Sequence, residues 1–182
     1  MPNTALIIID IQNDYFPGGK MELVNMDNAA ANASKLLQKF RSKKLPVFHV
    51  QHISTRENAN FFIPGTKGVE MSDHVTPIPD ETIITKHYPN SFRETNFHQQ
   101  LQENEIKKLF ICGAMSHMCI DTTTRAAFDL GYQSVVISDA CATKNLSFQG
   151  ITIPAIQVHA AYMASLHGLF ADVIMLADCQ DC

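Results

Sequence analysis

Three ionisable residues with complementary chemistry stand out in this 182-residue sequence: a carboxylate at Asp10, an amine at Lys86 and a thiol at Cys119. A thiol at the start of a helix with an ammonium group nearby is expected to have a lowered pKa. A carboxylate within reach can accept the thiol proton and later deliver it to a leaving amine. Backbone amides in the turn before the helix can stabilise a developing oxyanion. This combination predicts acyl transfer at an amide-like carbonyl, a reaction that needs no metal ion.

Each of these residues also has an ordinary structural interpretation. Asp10 can hydrogen-bond its own backbone in a turn, Lys86 can be a solvated loop residue, and Cys119 can be a small core residue. The interpretation as a site therefore depends on whether the surrounding elements bring all three residues together.

Short apolar runs, typical of strands buried on both faces of a parallel sheet, alternate with segments of helical periodicity. This alternation predicts one three-layer α/β/α domain, residues 1–182, with right-handed crossovers. The predicted strands are 5–9, 46–51, 82–85, 108–112, 133–138 and 173–176. The predicted helices are 27–40, 95–104, the segment between Cys119 and Gly131, and 154–170.

The three residues follow predicted strands at the edge where ligands bind in open parallel sheets, outside the carboxyl ends of the strands. Asp10 ends the first strand, Lys86 follows the third, and Cys119 lies just beyond the fourth. We therefore expect them to meet in one site.

Three blocks of sequence around these residues resemble the signature blocks of the isochorismatase-like hydrolases. The resemblance extends from Leu6 to about Leu176, and its most specific part is the cysteine block with its spacing to Arg125. The blocks are Asp10-Ile-Gln-Asn-Asp-Tyr-Phe, Ile84-Thr-Lys-His-Tyr-Pro-Asn-Ser-Phe, and Gly113-Ala-Met-Ser-His-Met-Cys-Ile followed by Thr124-Arg-Ala-Ala.

The resemblance implies a Rossmann-like, six-stranded and mostly parallel sheet, and a homodimer or homotetramer. It implies that Asp10 carries protons, that Lys86 is its charge partner and that Cys119 is the nucleophile. It also implies a non-proline cis peptide between Ala114 and Met115, which directs the backbone amides of Met115 and Cys119 at the oxyanion.

Nicotinamidases of the same superfamily add a metal site, built from an Asp-x-His and a further histidine after the second strand. The corresponding segment here is Phe48-His49-Val50-Gln51-His52, which lacks the carboxylate. His49 and His52 are expected on opposite sides of the strand. We therefore predict no metal and no cofactor. His52 is expected either to line the pocket or to be a structural histidine.

The substrate pocket is predicted from aromatic and apolar residues that flank the three blocks, since small-molecule sites are mostly apolar with a few polar anchors. Core packing explains any single one of these aromatic residues equally well. Arg56 and Arg93 can pair with a substrate carboxylate, but surface positions are favoured for both. The predicted pocket residues are Phe16, His52, Phe61, Phe62, Tyr88, Phe92, His117 and Met118.

Composition argues against several classes of partner. The net charge of −4 and the pI near 6.0, without a clustered basic face, are unlike those of nucleic-acid-binding proteins. No apolar run is long enough to cross a membrane, and the N-terminus lacks the pattern of a signal peptide. We therefore predict a cytoplasmic protein with five reduced cysteines. Cys179 and Cys182 have the spacing of half a metal site, but a frayed terminus is favoured because no second pair accompanies them.

Three functions are compatible with the sequence. The favoured one is hydrolysis of a C–N bond in a small amide, ureide or N-carbamoyl substrate through a thioester. The alternative is isochorismatase-type hydrolysis of a vinyl ether, in which Asp10 serves as the acid without the thiol. A catalytically silent scaffold protein is disfavoured, because Asp10, Lys86 and Cys119 are all present.

Overall fold

The computed structural model describes residues 3–179, and at its centre is the six-stranded parallel sheet that the sequence predicts. Every pairing between neighbouring strands of this sheet is parallel, in the order β3-β2-β1-β4-β5-β8. A separate antiparallel hairpin consists of β6 and β7. The strands are β1 (Thr4–Ile9), β2 (Val47–His52), β3 (Thr82–Lys86), β4 (Lys108–Ala114), β5 (Gln133–Ala142), β6 (Leu146–Phe148), β7 (Ile151–Ile153) and β8 (Asp172–Ile174).

Helices cover both faces of the sheet, and β1 shows how the three layers pack. All six residues of β1 are buried. Leu6 and Ile8 belong to the apolar core that includes the first helix, whereas Ala5, Ile7 and Ile9 belong to the core that includes the other three. The continuous apolar run in the sequence follows from this burial on both faces. The helices are α1 (Met26–Ser42), α2 (Phe97–Glu103), α3 (Asp121–Asp129) and α4 (Ala155–Leu166).

The fourth strand is longer than predicted, and this extension carries the chain toward the cysteine block. Gly113 was expected to end the strand, but β4 continues to Ala114. Gly113 has φ 126°, and a Cβ atom at this position would overlap the carbonyl oxygen of Ile9 in β1. Glycine is required here because it permits this backbone conformation and close approach, so the strand continues through it.

Two other boundaries differ from the prediction by four residues each, and the remaining ones differ by two residues or fewer. The strand β5 extends to Ala142 rather than Ser138, and α4 ends at Leu166 rather than Phe170. Gly168, with φ 90°, follows the end of α4, in keeping with the preference for glycine just beyond helix ends. The β6–β7 hairpin was not predicted.

The order of the strands creates a crevice at the carboxyl ends of β1 and β4. From β1 the chain proceeds to β2 and β3 on one side, and then crosses to β4, β5 and β8 on the other side. Open α/β sheets bind ligands where the strand order reverses in this way. Asp10 follows β1 directly, and Cys119 follows β4 after a short turn.

Two further predictions concern the membrane and the cysteines. None of the helices within residues 3–179 has the length and apolar character needed to cross a membrane. Cys112, Cys119 and Cys141 are free thiols, but Cys179 is disulfide-bonded. The prediction of five reduced thiols is therefore wrong at Cys179, because pairing depends on which sulfur atoms the fold brings together. Cys182 lies outside the described residues.

Candidate active site

Lys86 is the centre of a buried polar cluster at the crevice. Its side chain lies at the end of β3 and has no exposed surface. The ammonium Nζ is 2.7 Å from Asp10 Oδ2 and 3.3 Å from Cys119 Sγ. Nζ also lies 3.1 Å from His52 Nδ1 and 3.1 Å from the carbonyl oxygen of Tyr88, so its three N–H groups are shared among four acceptors. The three residues singled out by their chemistry are therefore in direct contact through one ammonium group.

Cys119 lies in a wide, π-helical turn, Ser116–Ile120, that leads directly into α3. The amide of Ile120 donates to the carbonyl oxygen of Met115 at 3.2 Å, which closes this turn. Single π-helical turns of this type are common at functional sites. The peptide bond between Ala114 and Met115 is cis, at the position that the resemblance indicated.

Asp10 occupies an uncommon backbone conformation directly after β1. Its φ of 52° lies in the left-handed region, which Asp tolerates better than most residues. The carboxylate is fully buried, and Oδ1 accepts no hydrogen bond within the described part of the chain. A ligating atom of Asp10 lies within 4.8 Å of the Cys119 sulfur. The carboxylate therefore has one oxygen paired with Lys86 and a second oxygen available for a proton from the thiol.

The electrostatics of Cys119 differ from the expectation of a lowered thiol pKa. Burial raises the pKa of Cys119 to about 12, and the negative charge of Asp10 adds to this increase. Lys86 lowers the pKa but does not outweigh these two effects. The expectation considered the ammonium group and the helix but omitted burial and the carboxylate. In the resting site the sulfur is therefore a protonated thiol.

The pKa values of Lys86 and of the neighbouring His52 are shifted in opposite directions. Burial lowers the pKa of Lys86, but Asp10 and Cys119 raise it by more, so the pKa lies above its ordinary value. Burial and then the charge of Lys86 lower the pKa of His52 to about 4. His52 is consequently neutral near pH 7 and accepts a hydrogen bond from the ammonium group through Nδ1.

Two residues of the first block, Gln12 and Asp14, support the site and were missed by the sequence reasoning. The side-chain amide of Gln12 donates to the carbonyl oxygen of His52 at 2.9 Å and accepts from its amide at 2.8 Å. The carboxylate of Asp14 accepts from the amide of Phe62 at 2.6 Å. Both residues are buried. The available signal was their position, two and four residues after Asp10 in a block that resembles a family signature.

A cavity of about 170 Å³ opens onto the sulfur of Cys119. It contains three of the predicted pocket residues, His52, Phe61 and Met118. Arg56 also lines the cavity and is exposed, as the sequence favoured. Most of the remaining wall comes from the long loop after β2, whose course the sequence did not reveal. The lining residues are Tyr15, His52, Ser54, Arg56, Asn58, Ala59, Asn60, Phe61, Pro89, Met115, Met118 and Cys119.

Five predicted pocket residues lie elsewhere. Phe62 is fully buried behind the wall, where its ring packs against that of Tyr15 with 4.6 Å between the ring centroids. Phe16 stacks on His74, and Phe92 packs between α2 and Tyr132.

Tyr88 and His117 are close to the site but are turned away from the cavity. The Tyr88 ring packs against the guanidinium group of Arg93, and only its carbonyl oxygen reaches Lys86. His117 is hydrogen-bonded to Thr143 at 2.6 Å. Proximity to a motif in the sequence did not reveal which way these rings point.

The residues at the crevice do not fit the metal site of nicotinamidases. His49 Nε2 pairs with Glu81 at 2.8 Å, whereas His52 contacts Lys86, so the two histidines are held in separate clusters. Asp10, His52 and Cys119 are close enough together to bind a cation. However, the ammonium group of Lys86 already lies against all three and supplies the positive charge there.

Comparisons with known proteins agree with the resemblance found in the sequence. The family model for the isochorismatase domain matches residues 4–178. The chain is 54% identical over 170 residues to the uncharacterized isochorismatase family protein YddQ of Bacillus subtilis, covering 93% of this chain and 94% of that protein. It is 32% identical over 176 residues to the secreted isochorismatase effector Isc1 of Verticillium dahliae, covering 97% and 90%.

A solved structure from Oleispira antarctica, whose name places it among the isochorismatase hydrolases, has the same fold. It superposes with a TM-score of 0.93 at 49% sequence identity, covering 97% of this chain and 95% of that one.

Proposed function

Since the chain belongs to the isochorismatase family of hydrolases, we propose that it cleaves the C–N bond of a small amide, ureide or N-carbamoyl substrate through a thioester on Cys119. In this proposal Asp10 carries the protons and Lys86 holds the charges in place. The substrate occupies the cavity that opens onto Cys119.

The observation that carries the proposal is the position of the Lys86 ammonium group, which is hydrogen-bonded to both Asp10 and Cys119. Lys86 donates to the sulfur, so the thiol proton is free to point elsewhere. Asp10 Oδ1 is a buried acceptor beside the sulfur that has no hydrogen-bond partner among the described residues. This arrangement supports transfer of the proton from sulfur to Oδ1 as the sulfur attacks a carbonyl carbon.

Acylation then proceeds with one proton transferred at each stage. The sulfur forms a bond to the carbonyl carbon while its proton passes to Asp10, and the oxygen gains negative charge facing the amides of Met115 and Cys119. Lys86 stabilises the sulfur as it loses its proton. When the C–N bond breaks, Asp10 donates the proton to the leaving nitrogen, and the thioester remains on Cys119.

Deacylation reverses these roles with water as the nucleophile. Asp10 takes a proton from water, whose oxygen attacks the thioester carbon. The C–S bond breaks, the proton returns to the sulfur, and the acid product leaves the cavity. The same carboxylate thus serves in both halves of the reaction, which makes its loss as costly as the loss of the sulfur.

Vinyl ether hydrolysis is the second candidate, and the name of Isc1, a relative at 32% identity, favours it. This reaction requires an acid that protonates the enol carbon, and a water molecule. Asp10 can supply the acid without Cys119. The free thiol at the bottom of the cavity has no task in this reaction, so it favours the amide chemistry.

A substrate panel with matched variants separates the two candidates. Amides, ureides, N-carbamoyl compounds and isochorismate are tested with the native protein, Cys119→Ala, Asp10→Asn and the double variant. For acyl transfer, each single variant loses roughly a thousandfold or more in kcat, and the double variant is little worse. Cys141→Ala, which removes another buried free thiol, serves as the control and keeps its activity. If Asp10→Asn loses hydrolytic activity while Cys119→Ala retains it, the result instead indicates the vinyl ether reaction.

A further inference from the structure

Arg56 is the arginine whose charge is not matched by the protein itself. The chain contains four arginines, and Arg41, Arg93 and Arg125 each pair with a carboxylate, that of Glu81, Glu94 and Asp121. Within residues 3–179 no carboxylate pairs with Arg56. Arg56 is exposed and is one of the residues that line the cavity above Cys119.

The cavity wall is otherwise uncharged near pH 7. Among the described lining residues, Arg56 is the one with a formal charge, since the Cys119 thiol is protonated and His52 is neutral. Beneath the cavity, the charges of Asp10 and Lys86 offset each other in a direct ion pair. The positive charge of Arg56 is therefore left as the net charge that a bound molecule meets.

The positive charge of Arg56 acts on His52, which lines the same cavity. It contributes, after larger effects of burial and of Lys86, to the lowering of the His52 pKa. The segment that carries Arg56 is also held in place. The amide of Ala59 donates to the Arg56 carbonyl oxygen at 3.1 Å, and the amide of Ser54 donates to that of Phe62 at 2.9 Å.

The neighbouring wall suits an anion. Asn58, Asn60 and Ser54 add amide and hydroxyl groups that can donate hydrogen bonds beside the guanidinium group. A guanidinium group binds a carboxylate through two parallel hydrogen bonds, which fixes both position and orientation. The cavity volume of about 170 Å³ lies below the range of about 300–1,000 Å³ typical of drug-sized ligands, so the bound molecule is small.

We propose that the substrate is a small carboxylate-bearing amide or N-carbamoyl compound, whose carboxylate binds Arg56 while its carbonyl carbon faces Cys119. This inference rests on the proposed function for the reaction itself. The anion-binding role of Arg56 is a property of the cavity and can be tested without any hydrolysis.

The first test compares two alkylating reagents that differ in charge. Iodoacetate and iodoacetamide react with the same sulfur, but only iodoacetate carries a carboxylate. The measured quantity is the rate at which iodoacetate alkylates Cys119 divided by the rate with iodoacetamide. Both rates are monitored by peptide mass mapping, and the ratio is compared with the same ratio for glutathione. We expect the ratio to exceed that of glutathione and to fall about tenfold or more in Arg56→Gln, because a charge-assisted hydrogen bond is lost.

Two further variants show whether the effect belongs to Arg56. Arg56→Lys keeps the charge and should retain part of the preference. Lys35→Gln removes the same charge from an exposed position on α1 that does not line the cavity, and should leave the ratio unchanged. A ratio equal to that of glutathione, or one that Arg56→Gln does not change, would overturn the inference.

The second test uses matched substrates, N-carbamoylglycine and its neutral glycinamide counterpart. Arg56→Gln should lower kcat/KM about tenfold or more for the carboxylate compound and leave the neutral compound nearly unchanged. Hydrolysis of both compounds with equal sensitivity to Arg56→Gln would contradict the anion site while leaving the proposed reaction intact. If neither these two compounds nor other amides are hydrolysed, but the alkylation ratio depends on charge as expected, the proposed reaction is contradicted and the anion site is supported.

Discussion

The ammonium group of Lys86 donates to the carboxylate of Asp10 across 2.7 Å, although the two residues are 76 positions apart and neither side chain is exposed. Removing two charges from water is costly, and their contact offsets the cost only while both are present. The pair therefore affects the pKa of the Cys119 thiol, because both residues lie close to its sulfur.

The first prediction concerns the thiol in Asp10→Asn. Burial raises the pKa of Cys119 most, the charge of Asp10 raises it further, and Lys86 lowers it. Removing the carboxylate charge should therefore bring the thiol pKa down from about 12. Thiolate formation is followed by ultraviolet absorbance as the pH is raised, with Cys119→Ala as the reference. The absorbance should increase at a lower pH in Asp10→Asn than in the native protein. Hydrolysis should nevertheless be lost, because the proton carrier is gone. An unchanged or higher thiol pKa would contradict this account.

The second prediction concerns stability. Lys86→Met leaves the Asp10 carboxylate buried without its cation, and should lower the free energy of unfolding by about 3–5 kcal/mol. The double variant Asp10→Asn/Lys86→Met should lose clearly less than the sum of the two single variants. Urea unfolding provides the measurement. Glu94→Gln, which breaks the exposed pair with Arg93, is the control and should cost less than about 1 kcal/mol. Additive losses would argue against a coupled pair.

The third prediction concerns the titration of His52, whose pKa is lowered from 6.5 to about 4. Between these two values the unfolded chain binds a proton that the folded chain does not, so the free energy of unfolding should fall as the pH is lowered through this window. His52→Gln should remove this contribution. In Lys86→Met, the His52 pKa followed by NMR should move upward, because one of the charges that lowers it is absent. A His52 pKa near 6.5 in the native protein would be incompatible with the site described.

The fourth prediction is that hydrolysis needs no added metal ion. The Lys86 ammonium group already contacts Asp10, His52 and Cys119, which are the groups that could together hold a cation. Activity on the best substrate should persist after chelation and dialysis. A loss of activity that is restored stoichiometrically by zinc or manganese would show that a metal takes part.

The sequence predicted that Asp10, Lys86 and Cys119 lie close together, because each ends or follows a segment with the pattern of a strand. Asp10, Lys86 and Cys119 lie at the carboxyl ends of β1 and β3 and just after β4, and the topology of a parallel sheet brings those ends together. The burial of Lys86 was not evident, since a lysine after a short strand is equally compatible with a solvated loop.

The cavity wall was less predictable because it depends on contacts between distant segments. The loop after β2 is fixed by Asp14, which binds the amide of Phe62, and by Gln12, which binds the backbone of His52. Neither contact has a local periodicity that a sequence pattern reveals. The sequence therefore did not reveal that Arg56 lines the cavity whereas Phe16 stacks on His74.

The most direct test of the central claim is mass spectrometry of the acid-quenched reaction with an activated ester or amide substrate. An activated leaving group makes acylation less dependent on the proton carrier, so the acyl-enzyme should accumulate in Asp10→Asn, in which deacylation is slow. We predict an increase in mass equal to the acyl group, mapped by peptide analysis to Cys119 and absent from Cys119→Ala, which also loses turnover. Full turnover by Cys119→Ala, with no acyl group on Cys119 in the native protein or in Asp10→Asn, would contradict the account.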